Sequence, residues 1–178
     1  MTVTYLPRSD WDNSGAPRSG HVVPVRQFVG LAIHHTVTLH APAPGLGDEI
    51  NHMRYLRTIR PDLGLDVPYS GVVFRGAGPY DAVLAEGRGP GRTGAHTYGY
   101  NSTRYGIAYA GNSSTDAMTP GVLEAIRLAG RLWCPWATAR TLGHQQFEGL
   151  EGTACPGSWL LDHLDELRRR LMVGVVAL

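Results

Sequence analysis

The chain has 178 residues, a length that suits one domain built on one hydrophobic core. A composition of 43% hydrophobic and 17% charged residues excludes a disordered chain, and 23 glycines with 12 prolines imply many turns around a compact sheet. A net charge of +1 with histidine neutral offers no electrostatic footprint for nucleic acid or an anionic membrane, and no segment is apolar enough for long enough to span a bilayer.

In chain order, residues 1–27 are turn-rich, with two prolines flanking Trp11, and are expected to form an irregular arm that wraps the core and is anchored by Trp11. The start lacks the basic residues and apolar run of a secretory signal, so synthesis in the cytoplasm is expected. Residues 28–37 are apolar and β-branched and predict a central strand buried on both faces, which sends His34 and His35 to opposite sides. A loop at 42–47 leads to a helix over 48–60, with Ile50, Met53 and Arg57 on one face and Pro61 just beyond its end. Residues 66–76 predict a strand after a proline turn, with 82–86 as its hairpin partner. Glycine-rich 87–94 opens into Ala95-His96-Thr97-Tyr98-Gly99-Tyr100-Asn101, a polar and aromatic loop of the kind that lines clefts.

Another strand is expected over 104–111. Thr119-Pro120 then reads as a helix N-cap with proline at the first helical position, followed by an amphipathic face of Val122, Ile126, Ala129 and Trp133. A short strand at 139–142 delivers His144, and a final helix over 157–170 aligns Leu160, Leu164, Leu167 and Leu171. The apolar tail 173–178 has no assignment. Strands interspersed with three main helices make an α/β fold: a central mixed sheet of five to six strands with helices on its faces, in a single domain over 1–178.

Three residues stand out for their chemistry. His34 ends the first long strand, His144 follows the short one, and Cys155 precedes the last helix, so all three can converge at one sheet edge. Two imidazoles and a thiolate are zinc ligands, and a catalytic zinc takes three protein ligands and keeps one open position. On residue type alone, a His-His pair in a strand is also what a satisfied core or surface pair looks like. The two cysteines, Cys134 and Cys155, could pair in an oxidising compartment, but Cys155 in its loop suits a metal better. Cys134, between Trp133 and Pro135, suits a buried structural thiol. His21, His40, His52 and His163 have no motif around them and read as surface or packing residues.

Five motifs follow in order: Ile33-His34-His35-Thr36, Pro68-Tyr69-Ser70, Gly94-Ala95-His96-Thr97-Tyr98-Gly99-Tyr100-Asn101, Gly106-Ile107 with Gly111-Asn112, and Thr153-Ala154-Cys155-Pro156-Gly157. Their order resembles that of the type-2 N-acetylmuramoyl-L-alanine amidases and peptidoglycan-recognition proteins, and Pro7-Arg8-Ser9-Asp10-Trp11 resembles that family's N-terminal arm. The resemblance covers about residues 8–171.

It implies one Zn2+ held by His34, His144 and Cys155, and cleavage of the amide between N-acetylmuramic acid and L-alanine in peptidoglycan. The alternative it leaves open is a non-catalytic recognition domain that keeps the groove. Tyr69 matches a tyrosine beside the zinc and Thr153 a position held by lysine or threonine in active members. His96, Tyr100 and Asn101 match the substrate groove, unless they only stabilise their loop. His35 is expected to face away from the metal into packing, and is also carried as a candidate substrate contact.

The implied partner is a muropeptide, with no nucleic acid and no membrane insertion, and a monomer is expected. An endolysin-like enzyme, made in the cytoplasm of an infected bacterial host and acting on the wall, fits a short single domain, as does a catalytic domain excised from a longer lysin. Two departures from the family pattern stand out. Residues 147–152 lengthen the loop between His144 and Cys155, and Ala108 stands where one branch carries a glutamate base.

Overall fold

The computed structural model describes residues 1–40, 42, 45–136 and 140–172. The apolar run at 28–37 supplies a strand, β2 (Leu31–His35), in which every residue is buried, as a run without polar alternation requires. Around it assemble β1 (Val3–Leu6), β3 (Gly71–Arg75), β4 (Ala82–Glu86), β5 (Tyr105–Tyr109) and the two-residue β6 (Leu142–Gly143). They form one six-stranded sheet in the order β1-β4-β3-β5-β2-β6. The β3–β4 hairpin is antiparallel and the other pairings are parallel, so the sheet is mixed as expected.

The register decides which side chains meet. His34 lies opposite Ala108 of β5, and Ala108 lies opposite Val72 of β3, so His34 shares the face that carries Val72 and Phe74. That face packs against α1 (Arg8–Trp11) and α2 (Gly47–Thr58) through Leu6, Trp11, Met53, Leu56 and Val83. The other face, with Leu31, Ile33, Val73 and Ile107, packs against α3 (Pro120–Trp133), α4 (Ser158–Asp162) and α5 (Leu164–Met172). The expected face of α3 is the buried one, and Leu160, Leu164, Leu167 and Leu171 close the same core. Among the described residues no helix is long and apolar enough to cross a membrane.

Several expectations change in detail. The arm 1–27 is not irregular throughout: Val3–Leu6 pairs in parallel with β4 and extends the sheet by one edge strand. Trp11 is its anchor, fully buried, with its indole N–H donating to the Glu86 carbonyl at 2.8 Å. The strand expected over 66–76 begins only at Gly71, because Pro68, Tyr69 and Ser70 bend into it, with the Ser70 N–H donating to Gly106 O. On α2, Met53 is buried but Arg57 is not part of an apolar face; its guanidinium donates to the Leu65 carbonyl.

The final helix is two helices broken at His163, whose ring stacks on Trp159 at 4.0 Å. The short strand runs over Leu142–Gly143 rather than 139–142; position 139 and the tail 173–178 lie outside the described residues. Both cysteines are free, and Cys134 is buried with its thiol donating to Phe28 O at 3.3 Å.

Candidate metal centre

β2 and β6 run in parallel, with Ile33 opposite Gly143, so the residue after each pair, His34 and His144, emerges at the same carboxyl end of the sheet. Their rings lie 4.4 Å apart between centroids. Cys155 arrives from the loop before α4, its carbonyl tied to the Gln145 N–H at 3.0 Å. Its sulfur accepts the His35 N–H at 3.4 Å and lies 3.5 Å from His34 Nδ1. One ligand atom from each of His34, His144 and Cys155 falls within 4.8 Å of the others, and among the described residues this is the one such convergence of His, Cys, Asp or Glu.

The electrostatics fit a divalent cation. Desolvation, reinforced by His96 and His144, pulls the His34 imidazole well below its ordinary pKa, and burial lowers His144, so both are neutral lone-pair donors at pH 7. Burial pushes the Cys155 thiol up to about 11, with only the His35 N–H opposing it. A metal at the centre of the three would reverse that, because coordination deprotonates a thiol outright. Two imidazoles and a thiolate are a borderline-soft set that suits zinc and leaves a fourth position.

Tyr69 stands beside the triad, its ring 5.4 Å from that of His34. Burial, then the nearby Cys155, raises its phenol far above the usual range, so it is a hydrogen-bond donor at neutral pH. Its backbone is held by Arg88, whose N–H donates to Tyr69 O and whose guanidinium donates to Val67 O. Thr153 accepts the Cys155 N–H on its hydroxyl oxygen at 3.2 Å, which orients the side chain and leaves its own O–H to donate elsewhere. The lengthened loop 147–152 is pinned by Phe147, buried and packed on Tyr100 at 4.7 Å.

The other candidates divide. His35 lies on the opposite face, buried, accepting the Ser113 N–H on Nδ1 at 3.3 Å beside Gly157; strand alternation takes it away from the triad into packing, not into a groove. Asn101 Oδ1 accepts the N–H groups of both His96 and Thr97, at 2.8 and 2.9 Å, which is loop-stabilising work. Tyr100 packs on Phe147. His96 turns inward, Nδ1 3.2 Å from His34 Nε2. It fills the space that two glycines leave: a Cβ at Gly94 or Gly106 would collide with its ring. Thr97, buried and 3.1 Å from His34 Nε2, is not singled out by residue type; its place inside the motif 94–101 is the one available signal.

The chain is 33% identical over 171 residues to a peptidoglycan-recognition protein of Drosophila melanogaster, covering 89% of this chain and 84% of that one. The chain belongs to the peptidoglycan-recognition protein and N-acetylmuramoyl-L-alanine amidase family. A mouse member named N-acetylmuramoyl-L-alanine amidase is 34% identical over 166 residues, 89% of this chain, and the chain spans only 29% of that relative's length. Bumblebee PGRP-SA, a solved structure, superposes with a TM-score of 0.73 at 27% identity, covering 91% of this chain and 93% of that one. No family model matches the sequence. Family membership accounts for the single domain and the six-stranded sheet, and in this fold His34, His144 and Cys155 come together at one place.

Proposed function

We propose that the chain is a zinc-dependent N-acetylmuramoyl-L-alanine amidase that hydrolyses the amide between N-acetylmuramic acid and L-alanine in peptidoglycan, acting as a monomer with one zinc. The observation that carries this reading is the convergence of His34, His144 and Cys155, with their ligand atoms within 4.8 Å and a protonated tyrosine beside them. When bound, the ion supplies Lewis acidity towards the scissile carbonyl and activates water at neutral pH. Two neutral imidazoles and one thiolate leave such a centre with a formal charge of +1, which favours the developing oxyanion.

The chain's own groups do the rest. Tyr69, kept neutral by burial, donates a hydrogen bond to the oxyanion or orients the attacking water. Thr153, its oxygen engaged by the Cys155 N–H two residues on, keeps its own O–H free to donate and serves as the second donor in this reading. His96 backs the His34 ring, Tyr100 packs on Phe147 of the neighbouring loop, and Asn101 holds the 94–101 segment in place. Alanine at position 108, directly across from His34, removes the glutamate base of one family branch and leaves the polar work to Tyr69 and Thr153.

The test is digestion of purified cell walls by the zinc-loaded protein. New L-alanine amino termini, abolished by chelator and by Cys155→Ala, are the expected result. A zinc-loaded protein that binds walls but releases no such termini overturns the amidase reading in favour of a recognition domain.

A further inference from the structure

We propose that Thr97 is a positioning residue: its hydroxyl, set between His34 and His96, selects the tautomer in which His34 offers Nδ1 to the metal. This rests on the metal reading of the triad. His34 Nδ1 is the nitrogen that faces Cys155, with the sulfur at 3.5 Å, while Nε2 on the far side of the ring lies 3.1 Å from Thr97 Oγ1 and 3.2 Å from His96 Nδ1. A neutral imidazole has one donor nitrogen and one acceptor nitrogen. For Nδ1 to be a ligand, the proton must sit on Nε2, and that N–H needs an acceptor.

A hydroxyl can accept on its oxygen and donate its own proton onward, and Thr97 Oγ1 is 2.8 Å from His96 Nδ1. The chain of bonds is therefore His34 Nε2–H to Thr97 Oγ1, and Thr97 O–H to His96 Nδ1. The metal reading sets its direction: with Nδ1 bare for the ion, the His34 proton sits on Nε2 and is accepted by Thr97 Oγ1, whose own proton is then donated to His96 Nδ1.

Every member of the relay is held. Thr97 is 1% exposed and its backbone N–H is bound by Asn101 Oδ1, which also binds that of His96. The His96 ring occupies the room left by the missing Cβ atoms of Gly94 and Gly106. Without the hydroxyl, two imidazole nitrogens 3.2 Å apart share one proton, and either ring can own it. His34 then spends part of its time with Nδ1 protonated and unable to bind.

The experiment compares wild type, Thr97→Val and Thr97→Ser by zinc competition with a chromophoric chelator, and reads the His34 ring nitrogens of the zinc-free proteins by long-range 1H–15N correlation. Zinc affinity is expected to fall about 10- to 100-fold in Thr97→Val, as for other groups that orient a ligand, and to stay near wild type in Thr97→Ser. In zinc-free wild type the His34 proton is expected on Nε2, with a tautomer mixture in Thr97→Val. A folded Thr97→Val with wild-type zinc affinity, or a wild-type His34 protonated on Nδ1, overturns the proposal. If Thr97→Val does not fold, the wild-type tautomer alone decides. If wild type takes up no zinc, the metal reading fails, and the tautomer comparison still judges the role of Thr97.

Discussion

Two clusters of buried imidazole sit on the same face of the sheet and put their ring nitrogens to different uses. At the carboxyl end of β2, the His34 and His144 rings meet Cys155, with His96 behind His34. Beneath α2, His40 and His52 pack edge-on at 5.3 Å against each other and against Phe74, with Glu49 beside them. Both clusters are kept neutral by desolvation. In the first, lone pairs converge on one point. In the second, His52 Nε2 is spent on the Thr38 hydroxyl at 2.8 Å, and His40 Nε2 faces Glu49 Oε1 at 3.6 Å. A metal centre is made by the direction of its lone pairs; two histidines and a carboxylate in one buried place do not suffice.

The sharpest way to break this contrast is to exchange the clusters' fates. His34→Ala and Cys155→Ala are expected to lose zinc and all wall hydrolysis, whereas His40→Ala and His52→Ala keep one zinc per chain by metal analysis; loss of zinc in the α2 variants would erase the distinction. Within the first cluster, Tyr69→Phe should keep its zinc and lose about 10²- to 10³-fold in kcat, the cost of removing one oxyanion donor. Unchanged kcat would remove Tyr69 from the chemistry.

A smaller effect is expected at His35, next to a ligand but on the other face. His35→Ala should retain zinc and lose about 1–3 kcal/mol of stability in denaturant titration, because the Ser113 N–H is left buried without an acceptor. Zinc loss on the scale of His34→Ala would contradict its place in packing.

The smallest effect is pH-dependent. Burial, then His52, lowers His40 from 6.5 to about 4, so below pH 6.5 the unfolded chain takes up a proton that the folded chain refuses until about pH 4. Stability is therefore lost progressively across that window as pH falls. Glu49, raised by burial, acts in the opposite sense. His40→Gln should flatten the fall of melting temperature between pH 6.5 and about 4 by a few degrees. An identical slope in wild type and variant would mean that this cluster does not couple to folding.

Much of this is legible in one dimension. Unbroken apolar runs predict buried strands, the spacing of Val122, Ile126, Ala129 and Trp133 predicts the buried face of α3, and strand alternation separates His34 from His35. These are local periodicities, set by the geometry of the chain itself. The motifs carry His34 and Cys155 within a few residues of their support, whereas His144 lies in none of the five and is marked by its place after the short strand.

What the sequence does not reveal depends on approach between distant segments. That Val3–Leu6 is an edge strand follows from β4 having an open side, and that Gly106 is small follows from the His96 ring lying over it, ten residues away in the chain. Asn101 reads as a groove residue in the motif and holds the loop in the fold, because two backbone N–H groups need its oxygen. Beyond its place in the motif 94–101, Thr97 carries no signal in the sequence, and the cluster under α2 carries none, for the same reason. A hydroxyl between two imidazoles, or a histidine whose lone pair is already spent, is defined by direction in space, and only the packed sheet supplies that direction.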